Sequence, residues 1–170
     1  MGSEETSSSA APPTGKAAVG PHFRAGAGAV ILDKSGRVLV FERRDITGAW
    51  QFPQGGLEAG ESPEAAVWRE VHEETGLTSK DLTLLGRYPE PLVYELPPSA
   101  RRKHTGLGQV QYWFFFRATA DFPRLELGPG GEFRAARWAA FADVVTETVP
   151  FRQQLYRRLE TFARGEGLIS

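Results

Sequence analysis

One short segment fixes the position of a helix in this sequence more firmly than any other feature. Ser62 followed by Pro63 is a typical helix start, because a serine side chain caps free N–H groups of the first turn and proline is tolerated at the first helical position. Gly76, directly after Thr75, is a typical helix end, because glycine readily adopts the left-handed conformation that closes a helix. The spacing predicts a helix over 63–75.

Three glutamates share one face of this predicted helix. Glu70, Glu73 and Glu74 lie at positions i, i+3 and i+4, so their carboxylates fall within an arc of about 100° and can converge on one point. Like charges at these spacings repel, and a hard divalent ion such as Mg²⁺, which takes oxygen ligands, could offset the repulsion. Arg69 could add a fixed positive charge. Taken alone, such a triplet more often marks a solvated, exposed helix face.

A glycine-rich turn precedes the helix. Gln54, Gly55 and Gly56 are followed by Gly60 and Glu61, and glycine lets the backbone approach a ligand closely. A free carbonyl in this turn could complete a metal site formed by the helix carboxylates. The loop and the helix together therefore form one candidate site.

The rest of the chain alternates short apolar segments with turns, which is typical of a sheet. Residues 27–32 and 37–42, joined by a turn at 33–36, predict a β-hairpin. Further strands are predicted at 50–52, 82–88, 92–96, 109–118 and 133–138. A closing amphipathic helix is predicted from the helical spacing of Phe151, Leu155, Leu159 and Phe162. The sum is an α/β fold, in which helices pack on a mixed β-sheet.

The composition fits one globular domain. A chain of 170 residues with 41% hydrophobic and 24% charged residues can bury a real core, and no apolar run approaches the roughly 20 residues that a membrane span needs. The net charge of -1 argues against the broad basic surface of a general nucleic-acid binder, although a few arginines could hold a short RNA end. Without cysteine there is no disulfide framework, thiolate nucleophile or cysteine-based metal site, so a cytoplasmic protein is expected.

The two ends of the chain differ from its middle. Residues 1–20 are rich in Ser, Ala, Pro and Gly and cannot bury enough surface to offset the entropy of ordering, so they predict a disordered tail. Glu4 and Glu5, with no apolar stretch after them, argue against a secretory signal. The folded domain is expected over 21–165, followed by a short tail at 166–170.

The loop and the helix together resemble the signature of the Nudix hydrolase family. Gly55, five residues, Glu61, seven residues and then the run Arg-Glu-Val-His-Glu-Glu-Thr-Gly-Leu at 69–77 fill every fixed position of that signature. The resemblance implies an α/β/α sandwich in which the motif is a loop-helix-loop. It also implies hydrolysis of substrates that contain a diphosphate linkage.

The same resemblance implies roles for the residues of the motif. Mg²⁺ or Mn²⁺ is the expected cofactor, because metal ions neutralise diphosphate oxygens and activate water for in-line attack on phosphorus. A carboxylate would take the proton, and Glu70 is the first choice. The expected metal ligands are the carbonyl of Gly55 and the carboxylates of Glu70, Glu73 and Glu74. Glu61 and Arg69 are expected to support them and complete the catalytic set.

Several segments outside the motif resemble the branch of the family that contains bacterial RNA 5′-pyrophosphohydrolases and plant-type diadenosine tetraphosphate hydrolases. These segments are 50–56, 108–114, 131–133, Trp138, Phe151 and 156–158. The match runs from about Phe23 to Ala163 and implies that Glu132 completes the metal site. Outside the family context, a glutamate after two glycines is usually a turn residue.

The branch also implies a set of substrate-binding residues. Phe151 would stack on a base, which suits an enzyme acting on many RNA ends because stacking tolerates sequence. The other expected substrate contacts are Arg24, Arg43, Gln54, Gln109 and Arg152, with the arginines near phosphates. Phe151 could instead be only the first core residue of the last helix, and the arginines could be solvated surface charges. The basic run at 101–104 could collect phosphates as a mobile loop or could simply be solvated.

Two departures from the branch bear on the substrate. Val110 stands where RNA-processing members usually carry a basic residue, and the run at 25–28 lacks the proline that commonly follows the first arginine. Removal of pyrophosphate from 5′-triphosphate RNA and asymmetric cleavage of dinucleoside polyphosphates are therefore nearly equal expectations, with RNA slightly favoured by the wider match. Further alternatives are an enzyme that removes oxidised nucleoside triphosphates, an isomerase and a non-catalytic Nudix-like binding module. The expected partner is a nucleotide or an RNA 5′ end, without a membrane or a stable nucleic-acid complex, and the oligomeric state stays open.

Overall fold

The computed structural model describes residues 20–128 and 130–170. The predicted tail at 1–20 lies outside these residues, apart from Gly20. The strands are β1 (Phe23–Leu32), β2 (Val38–Arg43), β3 (Trp50–Gln51), β4 (Gln54–Gly56), β5 (Leu82–Arg87), β6 (Leu92–Glu95), β7 (Gly108–Ala118) and β8 (Phe133–Ala139). The helices are α1 (Pro63–Thr75), α2 (Phe141–Glu147) and α3 (Pro150–Gly165), with a short 3₁₀ turn at Pro98–Ala100.

Within the described residues the strands form one mixed sheet. Its centre is the parallel pair of β1 and β7, in which Phe23 lies opposite Gly108 and Leu32 lies opposite Arg117. Strand β4 pairs with β1 antiparallel, β2 carries β3 and β8, and β7 carries β5 and β6. The mixed sheet predicted from the sequence is confirmed.

The turn between β1 and β2 is closed by the side chain of Asp33. Its Oδ1 accepts hydrogen bonds from the backbone N–H groups of Ser35 (2.9 Å) and Arg37 (2.8 Å). The two strands pair antiparallel at the turn, where Leu32 lies opposite Val38, and then diverge because β1 continues along β4 and β7. The predicted hairpin is therefore present at its turn and opens beyond it.

Helices cover both faces of the sheet, so β7 is buried on both sides. Successive side chains of a strand point to opposite faces. Trp113 and Phe115 belong to a core cluster that includes residues of α2 and α3. Phe114 and Phe116 belong to a second cluster that includes residues of α1. The two clusters are the two layers of the expected α/β/α sandwich, which is confirmed.

Helix α1 begins and ends at the predicted residues. The hydroxyl of Ser62 accepts a hydrogen bond from the backbone N–H of Ala65 (3.2 Å), and Pro63 occupies the first turn. At the other end Gly76 takes a positive φ of 77°, and its N–H donates to the carbonyl of His72 (2.8 Å). The helix packs against β1 and β4, which sets its carboxylates beside the glycine loop.

Two short elements are additional to those predicted. Strand β4 consists of glutamine and glycines, which have low strand preference, and forms because it pairs with β1. Helix α2 has only seven residues, and buries Phe141, Val144 and Val145. Leu168 and Ile169, in the segment predicted as a short tail, pack back onto the core. No helix in the described part of the chain has the length and apolar character to cross a membrane.

Candidate active site

Arg69 joins the glycine loop to the carboxylates of α1. Its Nε and Nη2 donate to the two oxygens of Glu61 at 2.8 and 2.9 Å, and Nη2 also donates to the carbonyl of Gly56 at 2.8 Å. Its Nη1 donates to Glu70 at 2.8 Å and to Glu73 at 3.3 Å. A planar guanidinium can serve all these acceptors at once, so one side chain fixes the loop against the helix.

Glu61 is the fixed counter-charge of Arg69. Its carboxylate also accepts from the backbone N–H of Glu58 at 2.8 Å. The hydrogen bonds from Arg69 lower the pKa of Glu61 to about 2, with a further contribution from the Glu58 N–H. Glu61 therefore stays ionised at neutral pH, which keeps the loop tied to the helix.

Glu70 lies directly against Gly55. A side chain at Gly55 would overlap the carboxyl group of Glu70, so only glycine leaves room for this carboxylate. Burial raises the pKa of Glu70, and the hydrogen bond from Arg69 opposes this effect. The carbonyl oxygen of Gly55 lies close to Gly26 of the neighbouring strand β1.

Glu74 faces a second carboxylate across the site. One of its oxygens accepts from the backbone N–H of Gln54 at 3.1 Å. Burial, followed by the nearby charge of Glu132, raises the pKa of Glu74 well above its usual value, and the Gln54 N–H opposes this effect. Glu73 differs from its neighbours because its side chain is largely exposed and reaches only Arg69.

Glu132 comes from the loop that precedes β8 and is held by a buried amide. Gln51 donates from Nε2 to Glu132 Oε1 at 3.2 Å, and its own carbonyl oxygen accepts from the guanidinium of Arg152. Gln51 is 1% exposed and Arg152 is 7% exposed. Arg152 therefore lies beneath the site and is linked to Glu132 by hydrogen bonds through Gln51.

A polar pocket of about 260 Å³ lies where the loop, the helix and the Glu132 loop meet. Its lining consists of Arg24, Gln54, Gly55, Gly56, Glu70, Glu74, Gln109 and Glu132. The guanidinium of Arg24 lies against Gly56, whose missing side chain makes space for it. The structure thus brings together seven of the site residues predicted from the sequence, and Gly56 of the glycine-rich turn.

A chain of side-chain amides forms one wall of this pocket. The amide nitrogen of buried Gln111 donates to the oxygens of Gln54 and of Gln109, the latter at 2.8 Å. Gln111 is absent from the predicted site residues. Its position two residues after Gln109 on one strand places both on the same face, so strand alternation is the signal that could have found it.

Comparison with known proteins decides the family. The family model described as NUDIX domain matches residues 22–159. The chain belongs to the Nudix hydrolase family. The RNA pyrophosphohydrolase of Rhodospirillum rubrum is 39% identical over 146 residues, which cover 84% of this chain and 87% of that protein. The RNA pyrophosphohydrolase of Photobacterium profundum is 39% identical over 150 residues, which cover 85% of this chain and 86% of that protein.

Solved structures share the Nudix fold with this chain. A C. elegans Ap4A hydrolase in a binary complex has a TM-score of 0.65 at 22% identity, with 84% of this chain and 98% of that chain covered. The E. coli dihydroneopterin triphosphate pyrophosphohydrolase has a TM-score of 0.67 at 22% identity, with 80% and 95% covered. This Nudix protein is accordingly a hydrolase of phosphoric anhydride bonds.

The remaining predicted substrate contacts lie outside the carboxylate pocket. Arg43 lines a neighbouring pocket of about 420 Å³ beside Glu132 and is held by Asp45 through two hydrogen bonds of 2.8 and 2.6 Å. Phe151 is partly buried and stacks on Tyr94, with 5.9 Å between ring centroids and 25° between planes. Tyr94 is therefore a neighbour of the expected base contact that the sequence pattern does not indicate.

The donor set fits a hard divalent cation, which Nudix hydrolases generally require. In the part of the chain that the structure describes, no group of three or more acidic or histidine side chains stands ready at metal-binding geometry. Glu70 instead accepts a hydrogen bond from Arg69. Glu74 faces Glu132, and the pKa of Glu74 is raised. Half-buried carboxylates that repel one another beside a polar pocket are the oxygen donors that such a cation stabilises.

Proposed function

We propose that this Nudix hydrolase removes pyrophosphate from the 5′-triphosphate end of RNA with Mg²⁺ or Mn²⁺ as cofactor. The observation that carries the proposal is the polar pocket in which Glu70, Glu74 and Glu132 face Arg24. A triphosphate offers negative oxygens to both a divalent ion and an arginine. Curated relatives named RNA pyrophosphohydrolase, which match over most of their length, support the choice of RNA. An RNA substrate and the absence of cysteine support a cytoplasmic location.

The carboxylates of the pocket are proposed to hold the metal. Glu70, Glu74 and Glu132 line the pocket directly, while Glu73 reaches it only by turning away from Arg69. The carbonyl of Gly55 is the proposed backbone ligand. When bound, the divalent ion neutralises phosphate oxygens and makes water a stronger nucleophile.

The side chains of the chain itself then have separate tasks in the hydrolysis. Water attacks phosphorus in line, the bond to the bridging oxygen breaks, pyrophosphate leaves, and Glu70 takes the proton from water. Glu70 lines the pocket in which the reacting phosphate would lie, so its carboxylate is placed to accept this proton. Arg69 and Glu61 keep this carboxylate in place through the loop.

The substrate end is proposed to lie along the wall that faces the carboxylates. Arg24 at the pocket and Arg43 in the neighbouring pocket would contact phosphates, and Gln54 and Gln109 offer amide groups to polar atoms of the nucleotide. Phe151 would stack on the base. Arg152 is proposed to support Glu132 from beneath the site, because it is buried and bonded to Gln51.

Asymmetric hydrolysis of dinucleoside polyphosphates is the second candidate function. Val110 stands where RNA-processing members usually carry a basic residue, and its side chain lies on the opposite face of β7 from the amides Gln109 and Gln111. The missing basic residue is what favours a substrate that carries a nucleoside at both ends. The chemistry at the carboxylates is the same in both candidates.

Substrate competition separates the two candidates. We expect kcat/KM to be highest for 5′-triphosphate RNA when it is compared with diadenosine tetraphosphate and ADP-ribose, each with Mg²⁺ and with Mn²⁺. A preference for diadenosine tetraphosphate would select the second candidate. A clear preference for ADP-ribose would exclude both candidates and leave only the hydrolase family.

A further inference from the structure

Arg44 contacts the loop that carries Glu132 and not the pocket carboxylates. Its Nε donates to the carbonyl of Gly131 at 2.9 Å. Its Nη2 donates to the carbonyls of Gly128 and Phe133, each at 2.9 Å. The backbone N–H of Arg44 donates to the carbonyl of Glu132, also at 2.9 Å. One residue thus binds four backbone carbonyls on both sides of Glu132 and at Glu132 itself.

The sheet alone does not hold this loop. The register of β2 and β8 shifts by one residue, because Glu42 lies opposite Ala135 while Arg43 lies opposite Phe133. The strand pairing ends at Phe133, one residue after Glu132. The contacts of Arg44 continue the connection between the two segments beyond the last strand pair.

The shape of the guanidinium matters for these contacts. Its N–H groups lie in one plane and point in fixed directions, so Nε and Nη2 can reach three carbonyls of a curved loop. Gly128 bends the loop with a positive φ of 54°. A lysine at position 44 keeps the positive charge but offers one nitrogen at the end of a flexible chain.

We infer that Arg44 is a positioning residue that fixes the Glu132 loop so that the Glu132 carboxylate faces Glu70 and Glu74. Gln51 holds the carboxylate itself, and Arg44 holds the backbone that carries it. The inference rests on the proposed role of Glu132 as a metal ligand. It assigns to Arg44 a role that needs no contact with substrate.

The test measures Mn²⁺ affinity without substrate, by calorimetry or by electron paramagnetic resonance of free Mn²⁺. Arg44→Ala and Arg44→Lys should each weaken Mn²⁺ binding about tenfold, the size typical of losing a group that orients a ligand. The matched control is Arg134→Ala, because Arg134 lies beside the same loop but bonds only the side chain of Glu42. This control should keep wild-type affinity.

A double-mutant cycle decides whether Arg44 acts through Glu132. If it does, Arg44→Ala should cost nothing further in the Glu132→Gln background, since the ligand is already lost. Amide hydrogen exchange at Gly131 and Phe133 should become faster in Arg44→Ala than in wild type. Wild-type Mn²⁺ affinity in Arg44→Ala, an affinity of Arg44→Lys equal to wild type, or additive losses in the cycle would each overturn the inference.

The same cycle separates this inference from the proposed function. Unchanged Mn²⁺ affinity and turnover in Glu132→Gln would remove Glu132 from the metal site, and the inference about Arg44 would fall with it. If Mn²⁺ affinity falls in Glu132→Gln but stays at the wild-type value in Arg44→Ala, the proposed site remains intact and only the role of Arg44 is overturned.

Discussion

At the scale of single residues, the site is a set of like charges held close together. Glu74 and Glu132 face each other, and burial together with this repulsion raises the pKa of Glu74. Arg69 donates hydrogen bonds to Glu61, Glu70 and Glu73 and offsets part of their combined negative charge, but it makes no hydrogen bond to Glu74. The repulsion between Glu74 and Glu132 is a cost to the folded protein that a bound cation would remove.

Replacing Glu74 should therefore stabilise the metal-free protein. Glu74→Gln removes the repulsion with Glu132, and the amide can still accept the Gln54 N–H, so Tm without metal should rise by roughly 2–4 °C. Mn²⁺ should raise the Tm of the wild type but hardly that of the variant. A ligand stabilises the folded protein by an amount that grows with its affinity, and the variant has lost one metal ligand. Thermal unfolding with and without Mn²⁺ measures both effects. Glu64→Gln, an exposed glutamate of the same helix, is the control, and an equal rise in Tm there would contradict the explanation.

The contact between Gly55 and Glu70 gives a second prediction at this scale. Gly55→Ala places a methyl group where the Glu70 carboxyl lies, so the carboxylate must move and turnover should fall about 100-fold. The matched control is Gly86→Ala, because a side chain at Gly86 meets no atom within 4 Å. Steady-state kinetics measure the turnover of both variants, and Gly86→Ala should keep the wild-type value. Equal Tm values for the two variants show that a loss of turnover in Gly55→Ala does not come from unfolding. Normal turnover in Gly55→Ala would show that the position of Glu70 is not critical.

Kinetics can decide whether Phe151 stacks on a base of the substrate or only packs in the core. If its ring stacks on a base, Phe151→Ala should raise KM more than it lowers kcat, since stacking contributes about 1–3 kcal/mol per base. Phe162→Ala, a partly buried aromatic of the same helix that packs on Tyr88, should lower stability without changing KM. Equal KM values in the two variants would return Phe151 to a packing role only.

At the scale of elements, the signals that sequence carries are local. Helix α1 is predicted to its first and last residue because its start and end depend on Ser62 and Gly76 themselves. Strand β4 is missed because Gln54–Gly56 is a strand only through its pairing with β1. The β1–β2 hairpin is predicted only in part. Its turn is correct because Asp33 closes it by contacts within four residues, whereas the strands beyond the turn pair with other parts of the chain.

The Asp33 turn should make stability depend on pH. Burial raises the pKa of Asp33, but hydrogen bonds from Ser35 and Arg37 outweigh it, so the folded pKa lies below the unfolded value near 3.8. The stabilisation is therefore present above the unfolded pKa and is lost as pH falls through the folded pKa. Asp33→Asn should cost about 1 kcal/mol at pH 7 and progressively less below about pH 4. Urea unfolding of both proteins at pH 7 and pH 3 is the measurement, and a constant difference would contradict the assignment.

At the scale of the whole molecule, the sandwich brings distant segments to one pocket. The sequence pattern alone indicates the helix carboxylates and the glycine loop, while Glu132 is expected only through the family resemblance. Gln51 and Arg44 are missed because their roles depend on contacts that cross the fold, whereas Gln111 could have been found from its alternation with Gln109 on β7. Arg152 is expected near phosphates only through the family resemblance, whereas its burial is set by the packing of α3.

The carboxylate pocket is proposed to hydrolyse a diphosphate linkage at the 5′ end of RNA. The most direct measurement is pyrophosphate release from 5′-triphosphate RNA with Mg²⁺, in the wild type and in Glu74→Gln, together with a Tm that shows both proteins folded. We expect one pyrophosphate per RNA end in the wild type and a rate at least about 100-fold lower in Glu74→Gln. Equal rates in the two proteins, or no pyrophosphate release from the wild type, would contradict it.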